Sequence, residues 1–253
     1  MQLRLAYFYP SLMNLYGNRG NVQTLALRCR RRGIELLIQE VGIGDQTNMT
    51  GFDLAFFGGG HGKEQQKIRQ DIFATKINNL RAAIADGLVT LTVCSGFELF
   101  GEYYRPLEGS VLKGIAIFDA RTEESKKRAI GDIIIRSELK SGVTQELIGF
   151  ENHSGRTYLG PGCHPLGRVI RGFGNNGDDN TEGARYLNCF GTYLHGPLLP
   201  KNPALADYFL ELALERRYGK YDLAPLDDLL ENETRRRMLK RIKGNNLFKG
   251  RVQ

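Results

Sequence analysis

The first hundred residues alternate between two kinds of apolar pattern, and that alternation leaves the chain few folds to choose from. β-type runs occur at residues 3–9, 34–41, 53–57 and 88–93. Between the first two lie a turn-rich segment, 14–21, and a helical stretch to about residue 32 that Asn21 is placed to cap. A second helical stretch, about 63–86 and broken once, ends at Gly87. Strands separated by helices pair in parallel, because the helix carries the chain back to the same edge. The fold class is therefore α/β, a mostly parallel sheet with helices on both faces. Ligands on such sheets bind outside the carboxyl ends of the strands. Two of those ends carry Gly58-Gly59-Gly60 and Cys94.

The second half is less regular. Shorter strands are expected at 115–121, 132–137 and 149–153, a Gly-, Asn- and Asp-rich loop at 171–186, and a strong strand at 186–194 that stops at His195-Gly196-Pro197. Helices are expected over about 203–218 and 226–243. There is no internal repeat and no proline-rich linker. The 253 residues read as one domain, 1–225, followed by a basic C-terminal helix and tail, 226–253.

Charge narrows the function classes. The net charge is +7, but residues 235–253 hold eight Lys or Arg and no acid, so removing those eight leaves −1. A nearly neutral body with a basic tail excludes a nucleic-acid protein with a broad basic face. The tail is either a solvated terminal helix or a segment drawn to an acidic partner or an anionic membrane surface. No apolar run is long enough to span a bilayer, and residues 1–10 do not read as a signal peptide. The four cysteines are scattered, with no C-x-x-C pair, so neither zinc nor a disulfide framework is expected and the compartment reads as reducing cytosol.

Cys94 carries the chemistry. It closes the run Leu88-Val89-Thr90-Leu91-Thr92-Val93 and is followed by Ser95-Gly96 and a helical stretch. A cysteine on a tight strand-to-helix turn stands clear of the sheet, and the free N–H groups of the new helix favour a thiolate. His195 also ends a strand, so in one parallel sheet the two would open onto the same edge as nucleophile and base. His61, His153 and His164 compete for the role of base. The N–H groups of Gly58-Gly59-Gly60 and of Ser95 suit an oxyanion. The glycines are not a phosphate loop, since Gly62-Lys63 is followed by Glu64 and Phe57 stands where the first glycine belongs. Other cysteine hydrolases, DJ-1-type proteins and a non-catalytic binding module share parts of this pattern. A nucleotide-binding flavodoxin-like module has no use for the cysteine.

Gly58-Gly59-Gly60, the elbow Thr92-Val93-Cys94-Ser95-Gly96 and Gly191-Thr192-Tyr193-Leu194-His195-Gly196-Pro197 together resemble class I glutamine amidotransferases of the cobyric-acid-synthase-like branch. Segments 12–21, 149–158 and 172–176 are similar to the glutaminase subunits of lipid II isoglutaminyl synthases. The resemblance implies a flavodoxin-like three-layer sandwich and hydrolysis of L-glutamine by Cys94 and His195 through a thioester. It also implies an oxyanion site at Gly59, Gly60 and Ser95, no cofactor and no metal. Arg128, in Lys126-Lys127-Arg128, falls where such subunits hold glutamine, and a guanidinium suits the α-carboxylate. Two positions depart from the wider pattern. Thr92 replaces the elbow's first glycine, and Pro197 stands where an acid would orient His195.

The resemblance further implies a partner. The chain shows no nucleotide motif, and ammonia released into water would protonate. Such glutaminases serve a Mur-ligase-like, ATP-dependent synthetase subunit of the MurT type, which amidates D-glutamate of the lipid II stem peptide in peptidoglycan synthesis. The expected setting is cytoplasmic, near the inner membrane leaflet, with no nucleic acid bound.

Overall fold

The computed structural model describes residues 1–60 and 62–244; His61, and Lys249 and Arg251 of the basic tail, lie outside the described residues. The strands of the first half are apolar on both faces, so a sheet built from them must be covered on both sides. β1 (Gln2–Phe8), β2 (Glu35–Val41), β3 (Leu54–Phe57) and β4 (Val89–Val93) pair in parallel in the order β2-β1-β3-β4. Leu3, Leu5, Phe56 and Leu91 face one side, with α1 (Arg19–Arg30). Ala6, Phe8, Ala55 and Phe57 face the other, with α2 (Gly62–Asp71) and α3 (Ile77–Ala85). A π turn at Ile72–Lys76 supplies the single break expected in the second helix. There Asp71 is buried, accepting from the Tyr9 hydroxyl at 2.7 Å and from Lys76.

Two local expectations are corrected. Tyr9 leaves β1 in a left-handed conformation (φ 49°) and starts the loop to α1. Asn21 does not cap α1; it is buried inside the helix and its Oδ1 accepts from Leu199 N at 2.8 Å. The Asn14 Oδ1 meets the start of the helix instead, accepting from Arg19 N at 2.8 Å.

After β4 the chain makes α4 (Ser95–Phe100) and then a second sheet that the sequence did not announce. β5 (Tyr103–Arg105) and β6 (Leu112–Lys113) are short. β7 (Ala120–Lys140) and β8 (Val143–Leu159) form one long antiparallel hairpin. The strands expected at 132–137 and 149–153 are parts of it, whereas 115–119 is not strand. β7 has one irregularity: Glu124 lies opposite Gly155 and Ala129 opposite His153, so Ser125, Lys126, Lys127 and Arg128 face the single residue Ser154. β9 (Gly167–Arg171) and β10 (Thr181–Glu182) complete the order β10-β9-β7-β5-β6, with β8 on β7.

The strand expected over 186–194 is shorter. β11 (Ala184–Tyr186) turns at Leu187 (φ 51°) into β12 (Cys189–Thr192), which rejoins the first sheet parallel to β4. The first sheet thus runs β11-β12-β4-β3-β1-β2, with only its β11 edge antiparallel. α5 (Leu198–Lys201) and α6 (Pro203–Tyr218) cover the α1 side. α7 (Leu229–Gly244) docks on the hairpin through Ile242 against Ile134 and Ile148. Four basic residues of α7 are paired with acids: Arg236 and Arg237 with Glu233, Arg241 with Asp132, and Lys243 with Glu146. Among the described residues, no helix is long and apolar enough to cross a membrane.

One buried cation ties these helices together. Arg28, on α1, is 3% exposed and donates to both oxygens of Asp207 on α6 and of Asp228 just before α7. Removing it leaves Asp207 with Arg32 alone, at 2.8 Å, and leaves Asp228 without its bidentate partner, which is worse than never having had the pair. Arg28→Ala is expected to lower the unfolding free energy by about 3 kcal/mol. Arg28→Lys should recover only part of it, because the planar fork is lost. Urea denaturation at pH 7 measures both, and a loss below ~1 kcal/mol for Arg28→Ala would contradict the assignment.

Candidate active site

The turn at Cys94 is built by the register of β4 and β12. Cys94 N donates to Thr192 O at 2.9 Å, which ends the ladder, and Glu98 N donates to Cys94 O at 3.0 Å, which starts α4. The residue between is forced to φ 56°, ψ −116°, a strained conformation for cysteine. The crossing is tight: a Cβ on Gly96 would lie 2.7 Å from Gly58 O. Of the four cysteines Cys94 alone is not buried, and it lines a cavity of about 370 Å³ at the carboxyl end of the sheet. Cys29, Cys163 and Cys189 are core residues, and burial raises the first two thiols to about 12 and about 11.

The expected thiolate is not the resting form. Burial and the Glu98 carboxylate push the Cys94 thiol above its ordinary value, against weaker opposition from the Ser95 N–H and Arg128. α4 is only six residues long, and its dipole does not outweigh the lost solvation.

His195 is placed by both sheets. β12, parallel to β4, carries it to the same carboxyl edge as Cys94, and its backbone then bridges to Phe150 of β8, N to O at 2.8 Å and O from N at 3.2 Å. The imidazole is fully buried, and neither ring nitrogen has a partner among the described residues. Burial, with His153, Lys201 and Arg128 nearby, holds it neutral and pushes its pKa down to about 3. The ring is kept from the cavity by Tyr16, whose ring packs edge-on against it at 4.9 Å between centroids.

Arg128 reaches the cavity from the β7 irregularity. Its Nε and Nη2 donate to Asn152 Oδ1 at 3.0 and 2.7 Å. Ser95 and Gly60 also line the cavity, but the Gly60 N–H donates to Ser95 Oγ at 2.7 Å. The carbonyl of Gly59 accepts from Leu15 N at 3.1 Å, fixing the glycine turn to the Tyr9 loop. Of the competing histidines, His164 is exposed and bridges to Arg185 on the β11 edge. His153 does line the cavity. It stacks on Tyr193 (3.7 Å, 8°), its Nδ1 is 2.8 Å from Gly155 O, and its Nε2 is buried with no hydrogen bond among the described residues, 3.9 Å from Glu151 Oε2.

Sequence reasoning missed Tyr16, Glu98, Tyr104, Glu124 and Asn152, all of which line the cavity. Glu98 could have been found, because it is the first acid after Cys94 and sits one helical turn on. The others arrive from a loop and from the unforeseen sheet. Among the described residues, no group of three or more His, Cys, Asp or Glu could hold a metal ion.

Two buried acids near this site should make the fold sensitive to alkali. Burial raises Glu98 to about 7, only partly offset by the Tyr193 hydroxyl and Arg69, and raises Glu182 to about 8 against the Tyr193 N–H and the Thr192 hydroxyl. Each binds its proton more tightly folded than unfolded, so stability falls as pH rises from the ordinary glutamate range through the folded values. The slope approaches ~1.4 kcal/mol per pH unit for each group. Unfolding free energies are expected to drop between pH 5 and 8, with a shallower drop in Glu98→Gln; equal slopes would refute the role of Glu98.

The comparisons agree with this geometry. The CobB/CobQ-like glutamine amidotransferase domain matches residues 4–203. The lipid II isoglutaminyl synthase (glutamine-hydrolyzing) subunit GatD of Staphylococcus aureus (strain N315) is 36% identical over 240 residues, 95% of this chain and 96% of that one. The subunit of the same name from Streptococcus pneumoniae (strain ATCC BAA-255 / R6) is 38% identical over 234 residues, 92% of this chain and 88% of that one. Among solved structures, PurLQS from Thermotoga maritima superposes with a TM-score of 0.57 at 15% identity, covering 85% of this chain and 99% of that chain, a likeness of fold. With its thiol on a strained turn above a parallel sheet, this chain belongs to the CobB/CobQ-like glutamine amidotransferase family.

Proposed function

We propose that this chain is the glutamine-hydrolysing subunit of a lipid II isoglutaminyl synthase. It releases ammonia from L-glutamine and passes it to a Mur-ligase-like, ATP-dependent partner. That partner amidates the α-carboxylate of D-glutamate in the lipid II stem peptide, giving D-isoglutamine. The observation that carries this reading is the near end-to-end match to two subunits of that name, at 36% and 38% identity. Residues 1–225 form the amidotransferase domain, and 226–253 an appended basic helix and tail. The setting is the cytoplasm, close to the inner leaflet where lipid II resides.

In this mechanism the Cys94 Sγ attacks the side-chain amide carbon of glutamine as its proton passes to His195. The Sγ–C bond forms and the carbonyl oxygen becomes an oxyanion, received by N–H groups at Gly59, Gly60 and Ser95. The Ser95 hydroxyl, which holds the Gly60 N–H in the ligand-free chain, is the group the oxyanion displaces. The imidazolium then gives its proton to the leaving nitrogen, the C–N bond breaks, and ammonia departs from a thioester. Water activated by His195 releases glutamate and restores the thiol. Arg128 holds the substrate's α-carboxylate.

A second assignment of the base has one observation behind it. His153 lines the cavity and has the Glu151 carboxylate 3.9 Å from its Nε2, whereas His195 does not line the cavity. Glutamate release by the chain with its partner separates the two. Cys94→Ala is expected to abolish hydrolysis, and His195→Ala to lower kcat by about 10²- to 10⁴-fold. Arg128→Ala should raise KM roughly 10- to 100-fold, the worth of a charge-assisted bond. A large kcat loss in His153→Ala with none in His195→Ala would move the base to His153.

The tail is tested separately. Arg236→Gln, Arg237→Gln and Lys240→Gln together remove exposed positive charge while leaving the apolar docking of Ile242 intact. Sedimentation with anionic vesicles, or capture of the synthetase subunit, should weaken in one of the two assays. Unchanged behaviour in both would remove the tail from either role.

A further inference from the structure

Tyr16 is held over His195 by a chain of hydrogen bonds that begins at Arg128. The Tyr16 hydroxyl accepts from Asn152 Nδ2 at 2.8 Å, and Oδ1 of the same amide accepts from Arg128 Nε and Nη2 at 3.0 and 2.7 Å. One side-chain amide therefore joins the guanidinium in the cavity to the ring that covers the imidazole.

The covering loop is under tension. Tyr16 is 45% exposed, so burial does little to hold it, and it occupies a left-handed conformation (φ 55°, ψ 30°) that tyrosine disfavours. Two residues on, Asn18 is fully buried with neither polar atom of its side chain partnered among the described residues. A strained tyrosine and an unsatisfied amide both argue against this loop holding its position unaided. The backbone is tied one residue earlier, Leu15 N to Gly59 O, and the Asn152 bond fastens the Tyr16 side chain itself.

Resting on the assignment of Arg128 and His195 above, we propose that Tyr16 is a positioning residue that acts through His195. It covers the imidazole in the ligand-free chain, and a carboxylate arriving at Arg128 releases it. The competition is unequal. A carboxylate binds guanidinium through charge-assisted bonds roughly twice as strong as those an amide oxygen makes. When Arg128 turns to the carboxylate, the Asn152 side chain loses both bonds to its Oδ1 and its backbone carbonyl loses a third, from Nη2 at 3.2 Å, and Tyr16 loses its hold. The loop then relaxes and the imidazole gains access to the cavity where Cys94 waits. An amide lacking the α-carboxylate leaves the fastening closed, so the device selects for amino-acid substrates as well as silencing the empty site.

The test uses the full chain and its synthetase partner. Tyr16→Phe keeps the ring and removes only the hydroxyl. Glutamate release should show KM lowered about fivefold, the worth of one ordinary hydrogen bond that substrate no longer has to break, with kcat changed less than twofold. An unchanged or raised KM overturns the proposal. The second measurement needs no turnover: the His195 ring signals of the Cys94→Ala chain, identified by their loss on His195→Ala, are followed by NMR. L-Glutamine should shift them and restore titration nearer pH 6, whereas 4-aminobutanamide, which lacks the carboxylate, should not. Equal responses to the two ligands, or none to either, overturn the proposal. Failure of the site assignment shows differently, as glutamine hydrolysis that survives Cys94→Ala.

Discussion

Two backbone hydrogen bonds between Phe150 and His195, at 2.8 and 3.2 Å, hold the site together. They join the end of a strand in one sheet to the middle of a strand in the other. Everything the second sheet contributes depends on this join, because Asn152, His153 and Arg128 lie on the hairpin next to it. The approach is close: a Cβ on Gly149 would lie 2.7 Å from the Leu194 side chain. Any larger residue there would push the hairpin from the sheet and carry Arg128 away from Cys94.

The electrostatics of the ligand-free site follow from burial more than from any pair of charges. Lost solvation raises the thiol and lowers the imidazole, so both rest uncharged. An uncharged thiol is a weak nucleophile until a base takes its proton. Among the described residues no carboxylate is hydrogen-bonded to the His195 ring, and Pro197 stands where the wider pattern has an acid. Glu98 faces the same cavity, and its raised pKa keeps this carboxyl largely protonated below neutrality.

The first half of the chain was legible because its information is local. Apolar periodicity located β1 to β4, glycines marked the ends of β2 and β3, and Cys94 stood out as a thiol on a turn. His195 was legible for the same reason, although its covering was not. The second sheet escaped because β7 is polar over much of its length: no strand was expected between residues 121 and 132, and only pairing with β8 makes that stretch strand. Tyr16 and Asn152 escaped with it. Their roles rest on contacts across 136 positions of sequence, which no local pattern encodes. The mistaken cap at Asn21 has a different cause, since a buried contact with α5 overrode the local preference of asparagine for a helix start.

The irregularity that carries Arg128 separates reach from frame. From Thr122 to Ala129 β7 advances seven residues while β8 advances four, from Thr157 back to His153, a surplus of three. Thr122 and Ala129 both point inward. Their facing is set by their partners on β8, Thr157 and His153, which lie four apart on one face. The bulged segment between them can therefore lengthen or shorten without turning either half of the hairpin over, and the reach of the guanidinium is free to vary while the frame stays fixed.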